Sequence, residues 1–525
     1  MSTKICVACA ASVFALVLMP CAAVRAAQSC GAAAADVVST VSLPGGPFSA
    51  IPTRDGCSIF VSMSLQRDRS SPGHIAVLKR AGGKVTLVRD FPVPSQGGVA
   101  GMALSHDGKW LVAANGSGLL LFDTDRLLAG DGKPLAEATD QAGFGAQESA
   151  ESVYVAISPD DRLVFVSDEG TASISTYELA KLRAGNVNAI GRIAVGIAPV
   201  GLVFSPDGRR LYTTSEMARS DEAPANCPGE GGRGGTTPQG LLTVVDVARA
   251  AHDPAGSVLT RVPGGCDPVR ITLSQDGARA FVTARGTDSL LVFDTAKLVS
   301  DPAQALIGSV IAGRSPVGVA VTGRHVVTAD SNRFALAGRK GEWLSVIDPL
   351  TFKVIGSVAA GLFPRELYVT ADGKTLLVTN FSSNSLELVD LARLTPGYFA
   401  QQKPIRDADE AEQTRIQAAL DERTRNHQAS PGTEAALRHM LESTASGMPD
   451  FDAMAPGLAA AARQNDAAIS AQLQKFGALQ SLKFKRAGPN GADTFEVTFE
   501  HARTDWTIAL APDGKVANLG FRPAD

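Results

Sequence analysis

A turn of the form Ser-x-Asp-Gly, set between two short apolar runs, recurs along most of this 525-residue chain. The clearest copies are Ser105-His106-Asp107-Gly108, Ser158-Pro159-Asp160-Asp161, Ser205-Pro206-Asp207-Gly208 and Ser274-Gln275-Asp276-Gly277. Asp55-Gly56 and Asp372-Gly373 mark two more, and Thr322-Gly323 a degenerate one. The turns start at 55, 107, 160, 207, 276, 322 and 372, at intervals of 52, 53, 47, 69, 46 and 50 residues. Asp-Gly between alternating apolar runs signals a hairpin, because glycine accepts the positive φ the turn requires. An apolar run comes directly after each turn, as in Leu376-Leu377-Val378-Thr379-Asn380. A later run ends in Asp, at Asp123, Asp246, Asp294, Asp348 and Asp390. A weaker run then leads to the next copy, as at 353–358. Four strands per unit, seven times over, predict an all-β, seven-bladed β-propeller.

The last unit stops at Asp390 without a fourth strand, while a spare strand at 37–43 precedes the first. That spare strand is expected to complete the seventh blade and remove an open sheet edge. Residues 36–391 resemble the YVTN-type β-propeller repeat family. The resemblance is carried by Leu377-Val378-Thr379-Asn380, by the Ser-Pro-Asp-Gly turn at 205–208, and by lead-ins such as Gly313-Arg314-Ser315-Pro316-Val317-Gly318. It implies the fold more sharply than an activity, since similar propellers include surface proteins, periplasmic proteins and lactonase-like enzymes.

Lys4, an uncharged apolar stretch at 5–19, Pro20 and small residues up to Ala26 and Ala27 have the pattern of a secretory signal peptide. The apolar stretch is short for a membrane span, which needs about 20 residues. No later segment has 18 uninterrupted apolar residues. Cleavage near Ala26 or Ala27 would send the chain to the periplasm or outside the cell. Three cysteines fall in the signal region, leaving Cys30, Cys57, Cys227 and Cys266. An even number in an exported chain suggests disulfides. Cys30 precedes the spare strand and Cys57 comes after the first turn, on one face of the propeller. Cys227, in the long loop of blade 4, and Cys266, leading into blade 5, share the other face. The expected pairs are therefore Cys30–Cys57 and Cys227–Cys266.

The longest insertions, at 63–73, 216–239 and 330–342, all fall between second and third strands, so one face is rich in loops. Function concentrates in such loops on rigid scaffolds. Asp168, Glu216, Arg285, Asp330 and Asn332 lie at the ends of second strands on this face. Arg270 and Arg365 occupy lead-in positions that hold small or apolar residues in most other copies. An arginine there is placed to meet a carboxylate or phosphate. Asp168, Glu169, Glu216 and Asp330 offer oxygens to Ca²⁺, but no contiguous calcium loop accompanies them, so no cofactor is expected. Hydrolase, metalloprotease and nucleotide-binding signatures are absent. The formal charge of −4 lacks the basic excess of a nucleic-acid binder.

After residue 397 the repeat ends. A charged, helix-prone stretch at 407–427 gives way to helices at 434–442 and from 449 to about 476, then to strands at 479–486, 494–501, 505–510 and 516–521. Helices leading into an antiparallel meander predict a small α+β domain over 398–525, beside a propeller over 28–397 and a signal peptide over 1–27. The segments Gly477-Ala478-Leu479-Gln480-Ser481-Leu482, 494–500 and 506–515 resemble NTF2-like or cystatin-like accessory domains. That resemblance implies an accessory or dimerising role. Two functions are expected: binding of a protein partner or small anionic ligand on the loop-rich face without catalysis, or a lactonase-like hydrolysis at the channel mouth.

Overall fold

The computed structural model describes Cys30 and residues 36–64, 72–81, 84–95, 98–139, 150–219, 225–228, 236–332, 341–488, 491–511 and 513–523. The expected signal peptide lies outside these residues. Seven four-stranded antiparallel sheets succeed one another along the chain. Their innermost strands are Gly46–Pro52, Met102–Leu104, Ser152–Ile157, Ile197–Phe204, Pro268–Leu273, Pro316–Thr322 and Pro364–Val369. Each innermost strand lies beside that of the next sheet, and the seventh lies beside the first. The spare strand, Val38–Ser42, pairs antiparallel with Ser385–Asp390 as the outer strand of sheet 7, with Thr40 opposite Glu387.

The recurrent residues have local causes. In the Ser-x-Asp-Gly turns the serine hydroxyl donates to the aspartate, as in Ser205 to Asp207 at 2.6 Å. The aspartate also accepts the backbone N–H two residues on, as from Arg209 at 3.1 Å. These bonds hold the Asp207 and Asp276 carboxyls below the usual range. The glycine takes the positive φ, +69° at Gly208. In the third copy Asp161 stands in its place at φ +57°. Its carboxylate accepts from the backbone of His106 and Asp107, at 2.6 and 3.0 Å, tying sheet 3 to sheet 2. Several of the aspartates that end third strands cap short helices. Asp123 and Asp246 accept the N–H groups of Arg126 and Arg249, at 3.1 and 2.9 Å, at the starts of helices that the repeat pattern does not signal.

Hydroxyls near the ends of the second strands bind sheet to sheet. Ser62 donates to Ala100 O at 2.6 Å, Thr214 to Val269 O at 2.8 Å, Thr283 to Val317 O at 2.8 Å and Thr379 to Phe48 O at 3.0 Å. The last of these joins sheet 7 to sheet 1. Both disulfides have the expected partners, Cys30–Cys57 and Cys227–Cys266, with Cα separations of 5.1 and 5.6 Å. Cys227 sits in a two-stranded ribbon, Asn226–Pro228 with Thr236–Pro238, inside the blade 4 insertion.

A 30-residue helix, Pro396–Arg425, starts almost directly after sheet 7. Thr395 caps it, its hydroxyl accepting from Tyr398 N at 3.2 Å. The helix is longer than the stretch expected at 407–427 and runs along sheet 6. Phe399 covers Gly356, where any side chain would collide with its ring. Arg406 faces Asp330 at 3.6 Å, and Trp343 Nε1 donates to Asp409 at 2.9 Å. Helices Thr433–Ala445 and Pro456–Phe476 then pack on a four-stranded meander, Leu479–Ala487, Asp493–Phe499, Arg503–Leu510 and Val516–Pro523. Phe495, Val497, Trp506 and Ile508 form its buried face. Among the described residues no helix is long and apolar enough to cross a membrane.

Candidate functional site

The seven turns supply a common frame for the middle of the molecule. Five residues before the turn hydroxyls at Thr53, Ser105, Ser158, Ser205, Ser274, Thr322 and Thr370 stand Phe48, Ala100, Val153, Val200, Val269, Val317 and Arg365. All seven line one cavity of about 570 Å³. Six are apolar; Arg365 is the one charged residue of this floor. Eleven residues after the hydroxyls of sheets 1, 2, 3, 4, 5 and 7 stand Ser64, Gly116, Glu169, Glu216, Arg285 and Phe381, and these line the wall. The floor is set by the start of each innermost strand and the wall by the residue at or just beyond the end of each second strand.

The position after the floor residue is small in sheets 1, 2, 4 and 6 and large in sheets 3, 5 and 7: Ser49, Gly101, Tyr154, Gly201, Arg270, Gly318 and Glu366. The three large side chains meet. Arg270 Nε donates to Glu366 Oε2 at 2.9 Å, and Tyr154 Oη donates to Glu366 Oε1 at 3.4 Å. The Arg270 guanidinium stacks 4.6 Å from the Tyr154 ring centroid and 5.6 Å from that of Phe48. Arg270 is 3% exposed, and its Nη1 and Nη2 have no hydrogen-bond partner among the described residues. Burial opposes its charge, but Glu366 and Tyr154 hold it charged. Burial, reinforced by Glu366, pushes the Tyr154 hydroxyl up. Buried N–H groups of a cation are costly to leave unsatisfied, so this pair of atoms calls for an oxygen from elsewhere.

Arg365 is surrounded by aromatic rings, 3.9 Å from the Phe48 centroid and 5.5 Å from those of Phe363 and Phe381. Cation–π contacts of this kind hold a guanidinium plane in a fixed orientation. On the wall, Arg285 clasps Glu216 with two hydrogen bonds of 3.1 Å. Glu169 is pushed up to about 7 by burial and by the charges of Glu216 and Glu151, with Arg365 and Arg270 pulling the other way. A carboxyl so tuned is half ionised near neutral pH and suited to exchange a proton.

Of the residues singled out in the sequence, Arg270, Arg365, Glu169, Glu216 and Arg285 share this cavity. Asp168 lies one residue behind the wall, buried, accepting the hydroxyls of Ser152 and Ser175. Asp330 and Asn332 belong to sheet 6, where the long helix meets it. Asp330 accepts from Thr328 and Ser345, at 2.9 and 2.7 Å. Asn332 donates to Gln413 at 3.1 Å. Burial pushes Asp330 up to about 6, against the pull of Arg406. Among the described residues no three His, Cys, Asp or Glu side chains are gathered to hold a metal ion. Sequence reasoning missed Glu151, Tyr154, Phe48, Phe363 and Phe381. Counting from the turn hydroxyls would have found Phe48 and Phe381, since their positions repeat.

The family model described as lactonase, seven-bladed β-propeller, matches residues 64–333, from the end of the second strand of sheet 1 into sheet 6. The chain belongs to this family. Two uncharacterized proteins of Staphylococcus epidermidis, one from strain ATCC 35984 and one from ATCC 12228, are similar to it. Each is 22% identical over 217 residues, which cover 40% of this chain and 58% of the relative. The match thus spans less than two thirds of either relative's length. In this lactonase-family propeller the seven sheets are the blades, and Arg365, Arg270 and Glu169 stand around the cavity where their innermost strands converge.

Proposed function

We propose that the seven blades close into a ring through Val38–Ser42, and that the cavity at its centre binds a small, partly apolar molecule through an oxyanion or carbonyl oxygen. The observation that carries the reading is the pair of buried Arg270 Nη atoms, without a hydrogen-bond partner among the described residues, beside Arg365, the one charge in an otherwise apolar floor. The valine floor takes the apolar part of the molecule, and the guanidinium groups take its oxygens. The two disulfides fit an exported chain, working in the periplasm or outside the cell. The helix-and-meander tail serves as an accessory module.

A second reading is favoured by Glu169. With its carboxyl held near neutrality, Glu169 takes a proton from water as the water oxygen bonds to a lactone carbonyl carbon. The guanidinium groups stabilise the oxyanion, and the ring C–O bond breaks as its oxygen takes that proton from Glu169, which is left ionised for the next cycle. Calorimetry of the full chain with valerate tests the binding reading. Arg365→Gln and Arg270→Ala/Arg365→Ala are expected to weaken binding tenfold or more, and wild-type chain that takes up no valerate refutes it. Turnover of δ-valerolactone that rises through pH 7 and disappears in Glu169→Gln supports hydrolysis. Absence of turnover in chain that binds valerate rejects hydrolysis and keeps binding.

A further inference from the structure

The cavity is chemically two-sided. Around a ring of seven blades, blade 7 lies across from blades 3 and 4. Blade 7 supplies Arg365 with Phe363 and Phe381, and Phe48 of neighbouring blade 1 completes the aromatic surround. Blades 3 and 4 supply Glu151, Glu169 and Glu216. Valines of blades 3 to 6 floor the space between.

The three carboxyls of the acidic side differ in their partners. Glu216 is engaged by Arg285 through both oxygens. Glu169 has no side-chain hydrogen bond among the described residues. Beside it, Glu151 is held at φ +50°, a backbone conformation unfavourable for a non-glycine residue, with its carbonyl accepting Glu169 N at 3.2 Å. On the cationic side Arg270 keeps two buried N–H-bearing nitrogens without a partner among the described residues. A simple monocarboxylate or a simple lactone answers only the cationic side and leaves the Glu169 carboxyl facing a hydrocarbon chain in a partly dehydrated space.

We infer that the ligand of this cavity is amphoteric: an anionic or carbonyl group is held at Arg365 and Arg270, and an amino group a few carbons away is held by Glu169. The inference rests on the oxyanion-binding reading and names the ligand class for it. The valine floor accommodates the short methylene chain between the two groups. An ammonium group arriving at Glu169 favours its ionised form, so binding of an amino-bearing ligand releases a proton and tightens as pH rises through neutrality.

The test is isothermal titration of the full chain with 5-aminovalerate, valerate and n-pentylamine, matched in chain length and differing only at the ends. In wild-type protein at pH 8, 5-aminovalerate is expected to bind at least tenfold more tightly than valerate, and pentylamine more weakly than either. Glu169→Gln is expected to abolish that preference. Glu169→Asp should keep a reduced preference, which separates loss of charge from loss of fold. Arg365→Gln is expected to weaken valerate and 5-aminovalerate alike. Equal affinity for valerate and 5-aminovalerate overturns the amphoteric assignment and leaves the oxyanion site standing. A preference that survives Glu169→Gln overturns the role given to Glu169. Failure of all three probes to bind folded wild-type chain removes the oxyanion site, and the inference with it.

Discussion

Glu387 lies on the third strand of blade 7, where blades 3, 4 and 6 carry Ser175, Thr243 and Ser345. It is 7% exposed, and its Oε2 has no hydrogen-bond partner among the described residues. Burial pushes its carboxyl from 4.5 up to about 7, only partly offset by hydrogen bonds from the Asn380 side chain and the Gly361 backbone. A carboxyl whose folded-state pKa is raised favours the fold while protonated. That contribution is complete below about pH 4.5 and is lost as pH climbs through about 7. The displacement of about 2.5 units, at about 1.4 kcal/mol per unit, sets the loss near 3 kcal/mol by pH 8. Glu387→Gln keeps the accepting oxygen and the shape and cannot ionise. Its stability should match that of the wild type at pH 4 and exceed it by about 3 kcal/mol at pH 8, with about 2 kcal/mol of the difference present by pH 6. Urea unfolding of both proteins at half-unit steps from pH 4 to 8 measures the difference and cancels every other titrating group, Glu169 and Asp330 included. A difference that stays constant with pH, or a variant less stable at pH 8, would refute the assignment of a buried, ionisation-opposed carboxyl.

Three further outcomes come from particular contacts. Replacing Cys227 and Cys266 by alanine opens a loop with a sequence separation of 39. Denaturant unfolding should show a loss of up to about 4 kcal/mol, and equal stability with and without reductant in the wild type would count against the bond. Arg406→Leu leaves the buried Asp330 carboxylate without its cation, so a cost of about 3 kcal/mol is expected at pH 8 and a smaller one at pH 5, where Asp330 is mostly protonated. A pH-independent cost in chemical unfolding would mean that packing of the helix, not charge, is what Arg406 supplies. Gly201→Ala places a methyl 2.7 Å from Thr214 Oγ1 and 2.8 Å from Val269 O, breaking the link between blades 4 and 5. A loss of about 1–3 kcal/mol is expected, together with weaker ligand binding at the adjoining floor, and an unchanged melting temperature would contradict it.

The blades were legible because each rests on short-range chemistry. A serine two residues from an aspartate, then a glycine, leaves few conformations open, and seven copies at similar spacing leave one architecture. The same holds for the disulfides, whose pairing depends on which end of a strand each cysteine occupies, and for the meander after residue 479. The cavity was legible in part. Arg270 and Arg365 stood out as departures from small or apolar positions, and both line it. Asp168 and Asp330 shared the ends of second strands with Glu216, yet one residue decides the outcome there. Asp168 and Asp330, the last residues of their strands, are claimed by hydroxyls, while the repeat position after Asp168, held by Glu169 and Glu216, reaches the wall. Strand alternation makes that distinction and residue type does not. The docking of Pro396–Arg425 against blade 6 was not legible, because Trp343, Asn332, Asp409 and Gln413 look like ordinary surface residues until the helix is laid on the sheet.

The mixture of small and large residues next to the floor explains how one fold makes both a solid centre and a site. Seven large side chains could not meet at one axis, and seven small ones would leave an open channel. Glycine at 101, 201 and 318 lets neighbouring innermost strands approach closely; at Gly101 any side chain would collide with Tyr154. Tyr154, Arg270 and Glu366 come from blades 3, 5 and 7, far apart in sequence, and join in one buried cluster. A buried ion pair stabilises little relative to apolar packing, and three hydrophobic residues of similar volume would close the centre at lower cost. The arrangement is therefore poorly accounted for by stability. It presents to the cavity a guanidinium whose Nε is held by Glu366, whose plane stacks on Tyr154, and whose Nη1 and Nη2 have no hydrogen-bond partner among the described residues.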